Sequence, residues 1–222
     1  IATFSSMLVN KENPSIDYDK EVSLIYVGDF IDEIIKILND DNEITLKKSL
    51  IYNYNVSDVL TKLNKFNKLY CEYGQIPSID SHFDLCLFNT FRSYININSF
   101  FPRSHKENND NRGSFSELTR AFSHGQSSFS ITKKGVIRGN HFHTRKIERF
   151  SVIKGKARIQ LREILSNNKC EFIIDGDKPS YIDIPIWHTH NIENIGNEEL
   201  ITVFWINEHY NEDTSDTYLE NV

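Results

Sequence analysis

The sequence predicts an α+β chain in two parts, a mixed α/β, mostly helical front over residues 1–99 and an all-β back over residues 100–222. Three observations predict it. Apolar residues recur at helical spacing through the first hundred positions. Short alternating runs between glycine turns fill the rest. Between them, Phe101-Pro102 and the polar, Asn-rich stretch Ser104–Arg112 read as a linker or loop. With 39% hydrophobic and 25% charged residues and a mean hydropathy of -0.46, the 222 residues exclude a disordered chain.

In the front part, Ser23–Val27 reads as a short apolar strand. Asp29 is placed to cap a helix with Phe30, Ile31, Ile34, Ile35 and Leu38 on one face. Ser49–Asn53 is a second strand candidate. Ser57 or Asp58 can cap a helix carrying Leu60, Leu63, Phe66, Leu69, Tyr70 and Tyr73, which Gly74 ends. A further helix runs from about Asp80 to Tyr94, and all these apolar stripes are expected to be core. In the back part, strands are expected at Ser114–Thr119, Ser127–Thr132, Arg149–Ile153, Ala157–Arg162, Cys170–Ile174, Tyr181–Ile184 and Leu200–Ile206. That many short strands indicate a sandwich or small barrel.

Lys+Arg total 25 against Asp+Glu 31, a formal charge of -6, which argues against general nucleic-acid binding. No run of about 18 apolar residues occurs, so no membrane span is expected. Three cysteines, Cys71, Cys86 and Cys170, without metal-type spacing point to reduced thiols in a cytoplasmic protein. The opening Ile1-Ala2-Thr3-Phe4 lacks both Met and signal-peptide grammar, and reads as cut from something longer.

The chemistry lies in two histidine pairs, His141/His143 and His188/His190. The strand period of two puts each pair on one face, and Glu148 can project from the next strand. Three imidazoles and one carboxylate meeting inside a barrel suit a divalent metal such as Zn, Mn, Fe, Ni or Co. A lone H-x-H is as readily explained by satisfied core histidines. Here the pattern is longer: Gly135, five residues, His141-Phe142-His143, four residues, Glu148, six residues, Gly155. Gly176, Pro185, His190 and Asn194 follow, with Trp187 where the second pattern has glycine.

These two motifs resemble those of the cupin superfamily, which implies a jelly roll (double-stranded β-helix) and the metal ligands His141, His143, Glu148 and His190. The segment Gly125–His143, with Arg112-Gly113-Ser114-Phe115 upstream, is similar to the nucleotide-sugar 3,5-epimerases. That likeness implies that Arg112 and Arg138 grip a nucleotide diphosphate, for which the guanidinium fork is suited. The strings RGSFSE, GNHFH, GDKPSYIDIPI, THNIENIG and DTYLENV resemble a family of bifunctional capsular polysaccharide enzymes, a short-chain dehydrogenase/reductase joined to a zinc cupin. Ile1–Phe4 and Leu24–Leu38 (LIYVGDFIDEIIKIL) look like the last portion of its reductase domain.

The resemblance implies metal-dependent C3 epimerisation of a UDP-4-keto-6-deoxy-N-acetylhexosamine, with zinc as the metal, UDP-sugar as partner and a homodimer as assembly. NADP is expected only in the reductase part that is missing here, since no G-x-x-G-x-x-G loop and no Tyr-x-x-x-Lys pair occur. The proton carriers are left open among His141, Lys146 and His188, of which His141 is also a metal ligand. Thr144, Trp187 and His188 depart from the family's His, Gly and Tyr. A cupin dioxygenase and a non-catalytic UDP-sugar-binding or dimerisation module remain the alternatives.

Overall fold

The computed structural model describes residues 1–39, 50–110, 113–122 and 124–222, the side chains of 107–110 and 113–116 excepted. They divide between Tyr94 and Ile95 into two compact units. Among the described residues, no helix is long and apolar enough to cross a membrane.

The first unit holds α1 (Ala2–Val9), α2 (Val27–Asn39), α3 (Val56–Phe66) and α4 (His82–Arg92), with a π-helical segment, Asn67–Glu72, continuing α3. Of the stripe read on α3, Leu63, Phe66 and Tyr70 are core, buried against Phe88 and Phe91 of α4, and Leu60 and Leu69 are half-buried. Tyr73, expected in the core, is exposed because it lies at the end of the helical run. Phe66 and Tyr70 meet the Phe88 ring edge-on at 5.1 and 5.3 Å. Gly74, at φ +67°, ends this run. Ser81 starts α4 by accepting the Asp84 N–H (3.1 Å) while its hydroxyl donates to the Asp84 carboxylate (2.7 Å).

Three further expectations for this unit are corrected. The strand over Ser23–Val27 is β1 (Glu21–Leu24), because the Tyr26 carbonyl already accepts the Phe30 N–H of α2 (3.0 Å). The α2 stripe is not core: Phe30, Ile31, Ile34, Ile35 and Leu38 are all exposed, Leu38 by 79%, since no described element covers them. The reductase-type α/β portion is not present among the described residues. The strand pairing here is β1 with β2 (Tyr52–Asn55), antiparallel, four residues each and half exposed. Such strands differ from the doubly covered parallel ones of a dinucleotide-binding sheet.

The second unit begins with α5 (Ile97–Phe100) and is otherwise β. Its strands are β3 (Arg103–Ser104), β4 (Glu107–Asp110), β5 (Gly113–Ser116), β6 (Gln126–Thr132), β7 (Ile137–Phe142), β8 (Glu148–Lys154), β9 (Lys156–Glu163), β10 (Lys169–Asp175), β11 (Ser180–Ile184), β12 (His188–Asn194), β13 (Leu200–Ile206) and β14 (Tyr218–Leu219). They form two five-stranded sheets, β10-β9-β12-β7-β14 and β3-β11-β8-β13-β6. Successive strands largely alternate between the sheets, as a double-stranded β-helix requires. The Asn-rich stretch expected to be a linker instead contributes β4, paired antiparallel with β5.

Ile159, Leu161, Ile174, Ile182, Ile184 and Leu200 fill the core between the sheets. Each contributes about 1.5–3 kcal/mol by leaving water. The β8–β9 turn pivots on Gly155 at φ +83°, where a Cβ would lie 2.9 Å from the Glu199 carbonyl oxygen.

Candidate metal centre

His141 near the end of β7 stands opposite His190 of β12, with ring centroids 4.5 Å apart. His143 follows the end of β7, and Glu148 opens β8 in the other sheet. One ligand atom from each of the four lies within 4.8 Å of all the others. The cluster thus joins the two sheets.

Main-chain carbonyls orient two of the rings. A carbonyl only accepts, so His143 Nδ1 donates to the Asp216 oxygen (2.5 Å) and His190 Nδ1 to that of His188 (3.4 Å). Each ring therefore turns Nε2 toward the cluster, the arrangement by which metal-binding imidazoles are held. His143 Nε2 lies 3.1 Å from Glu148 Oε2. His190 Nε2 lies 3.4 Å from the same oxygen, is buried, and has no hydrogen-bond partner. An orphaned buried nitrogen facing a carboxylate is what a cation between them would satisfy, so the residues present fit a metal ion.

Electrostatics agree with the geometry. Burial alone would raise the Glu148 carboxyl, but the His143 and His190 imidazoles beside it hold it far below the usual range. Burial, then the charges of His190 and His143, push His141 down to about 4, so its ring is neutral at ordinary pH. His143 is raised: burial, the largest single effect, lowers it, but the hydrogen bond and charge of Glu148 and the Asp216 carbonyl together outweigh that.

A β-bulge sets what else faces the cluster. His190 pairs with His141 but Asn191 pairs with Gly139, leaving Asn140 unpaired at φ +60°. Gly139 allows this close approach, since a Cβ there would sit 2.8 Å from the His190 carbonyl oxygen. Arg138 is opposite Ile192. Directly opposed residues share a face, as do His190 and Ile192 two apart, so Arg138 and His141 share one although they are three positions apart.

The other expected site residues lie as follows. Arg112 is outside the described residues. Arg138 is exposed on β7. Lys146 is buried, its ammonium donating to the Ser215 carbonyl and standing 5.7 Å from the centre of the Tyr210 ring, and it is not one of the four clustered residues. His188 opens β12 half-buried, and its Nδ1 donates to the Ile186 carbonyl (2.9 Å), also outside the four. Trp187 has φ +59° and packs near Phe142 (5.8 Å).

Sequence reasoning missed Asp216. Its carboxylate accepts the N–H groups of Thr144, Arg145 and Lys146, each at 3.0 Å, and the Thr144 hydroxyl at 2.6 Å. With its own carbonyl on His143, one residue fixes the entire 143–146 turn. The signal available was the string DTYLENV, whose aspartate stood out only by resemblance.

A model of the polysaccharide biosynthesis C-terminal domain matches residues 108–218. A curated relative, UDP-2-acetamido-2,6-beta-L-arabino-hexul-4-ose reductase of Pseudomonas aeruginosa, is 29% identical over 98% of this chain and 59% of its own length. The spore coat polysaccharide biosynthesis protein SpsL of Bacillus subtilis is 27% identical over 50% of this chain and 80% of its own. A crystal structure of the capsular polysaccharide assembling protein CapF from Staphylococcus aureus is 30% identical with a TM-score of 0.47, covering 100% of this chain and 65% of that one. The chain thus spans about three fifths of the first of these relatives.

Proposed function

From the chain's membership of the polysaccharide biosynthesis C-terminal domain family, to which it belongs through residues 108–218, we propose that it is a metal-dependent nucleotide-sugar C3 epimerase. The observation that carries this reading is the buried His190 Nε2, unpaired beside Glu148 and two further imidazoles. We assign a divalent ion, zinc by preference, to His141, His143, Glu148 and His190. The chemistry such an ion supplies is Lewis-acid polarisation of a carbonyl.

The substrate class follows from what the Pseudomonas relative's name says of that protein, a UDP-linked 2-acetamido sugar with a ketone at C4. Its C3 proton is acidic because the adjacent ketone can hold the resulting charge as an enolate. Removal on one face and return on the other inverts C3.

We assign the removal to His188. Its Nδ1 proton is committed to the Ile186 carbonyl, which makes Nε2 the basic nitrogen. Lys146, anchored on the Ser215 carbonyl, is the candidate for returning a proton. Arg138 shares the face of His141 and is assigned to the diphosphate, with Arg112 as its partner by resemblance.

The test is proton NMR of the UDP-4-keto sugar with the chain in D2O. Deuterium is expected at C3, and His188→Gln should slow its entry by about 10²–10⁴-fold while the metal content stays unchanged. Binding of the sugar without any exchange would mean a binding module instead.

A further inference from the structure

The helical unit carries a second convergence of metal-ligating side chains that the epimerase reading does not use. His82 and Cys86 lie one turn apart on α4, hence on one face, and Asp29 comes from the first turn of α2. His82 Nε2 is 3.0 and 2.9 Å from the two Asp29 oxygens and 3.5 Å from Cys86 Sγ. One atom of each residue lies within 4.8 Å of the other two. A single ring nitrogen thus faces both a carboxylate and a sulfur, and one N–H serves only one of them.

Burial is graded across the three. Cys86 is 6% exposed, the Asp29 side chain 17% and the His82 side chain 48%. Sulfur therefore forms the floor, and the imidazole stands at a solvent-facing entry. Cys86 also lines an apolar cavity of about 330 Å3, open mouth included, together with Leu24, Tyr26, Tyr52, Phe83 and Leu87. Burial and the Asp29 charge suppress thiolate formation in the cation-free cluster, which speaks against a role as a nucleophile.

We propose that Asp29, His82 and Cys86 form a transition-metal site of the zinc class, separate from the cluster in the sandwich. Thiolate, imidazole and carboxylate together are a donor set that zinc accepts, and three protein ligands leave a coordination position open. On binding, the Cys86 thiol gives its proton to solvent as the sulfur–metal bond forms.

Cobalt(II) is the probe, because a thiolate bound to it gives a near-ultraviolet charge-transfer band and the sandwich cluster has no sulfur. The chain titrated with cobalt should show that band, and Cys86→Ser should abolish it while Cys71→Ser and Cys170→Ser retain it. His82→Gln, at a half-exposed position, and the isosteric Asp29→Asn should weaken cobalt binding at this band by tenfold or more. They decide the matter if Cys86→Ser fails to fold. No band, a band surviving in Cys86→Ser, or unchanged affinity in both His82→Gln and Asp29→Asn would overturn the proposal and leave an ordinary Asp29–His82 ion pair.

Discussion

Asp216 holds the ligand turn through main-chain groups while its carboxylate stays out of the four-residue cluster. Asp216→Ala should weaken metal binding about 10–100-fold, read by competition with a chelator, while the far-ultraviolet spectrum of the sandwich persists. Its role was illegible because backbone N–H groups carry no residue identity, whereas the ligand histidines were legible from strand period and fixed spacing. Trp187 is the converse case. At φ +59° it occupies the conformation for which the family pattern uses glycine, so the departure noted in the sequence marks a real backbone requirement. A residue-scale pH effect comes from His105, which is bonded to Ser151 (3.1 Å) and lies among Arg149, Asp183 and Tyr181. Burial, then the Arg149 charge, lower its pKa, so between that lowered value and about 6.5 the unfolded chain binds more protons. Stability from this group is complete above about 6.5 and is lost as pH falls through the folded value. Thermal melts of His105→Gln should show a shallower loss over that acid range than the parent.

At the scale of elements, periodicity told which face of a helix is apolar but not whether anything covers it. The α3 stripe is buried at Leu63, Phe66 and Tyr70 and the α2 stripe is exposed throughout, yet both sequences repeat alike. Leu63→Ala in α3 should therefore cost about 2–5 kcal/mol. Ile35→Glu in α2 should stay within about 0.5 kcal/mol, both measured by denaturant unfolding. Between β8 and β11, Arg149 and Asp183 form a buried bidentate pair at 2.7 and 2.9 Å, with the guanidinium 3.9 Å from the centre of the Tyr181 ring. Asp183→Ala strands that charge and should destabilise the sandwich by about 3–5 kcal/mol in the same assay. Six of the seven strands expected in the back part were read to within a residue at each end. Ser114–Thr119 overran β5, which stops at Ser116, and the short β3, β4 and β14 were not read from alternation. The Asn140 bulge was not read either, because an extra residue in one strand is defined only by its partner, and it alone brings Arg138 and His141 to one side.

For the whole molecule, the edge strand β6 leaves Phe129 and Ile131 exposed on one face. An apolar edge of this kind favours pairing with a second copy, so the chain is expected to sediment as a dimer and Phe129→Glu as a monomer. A different consequence follows from the Asp216 anchor. It joins positions separated by 70 to 72 residues, so it forms only once a long loop has closed. The amide protons of Thr144, Arg145 and Lys146 are thereby a built-in clock: their common rate of isotope exchange reports how often the C-terminal segment lets go, with no label attached to either.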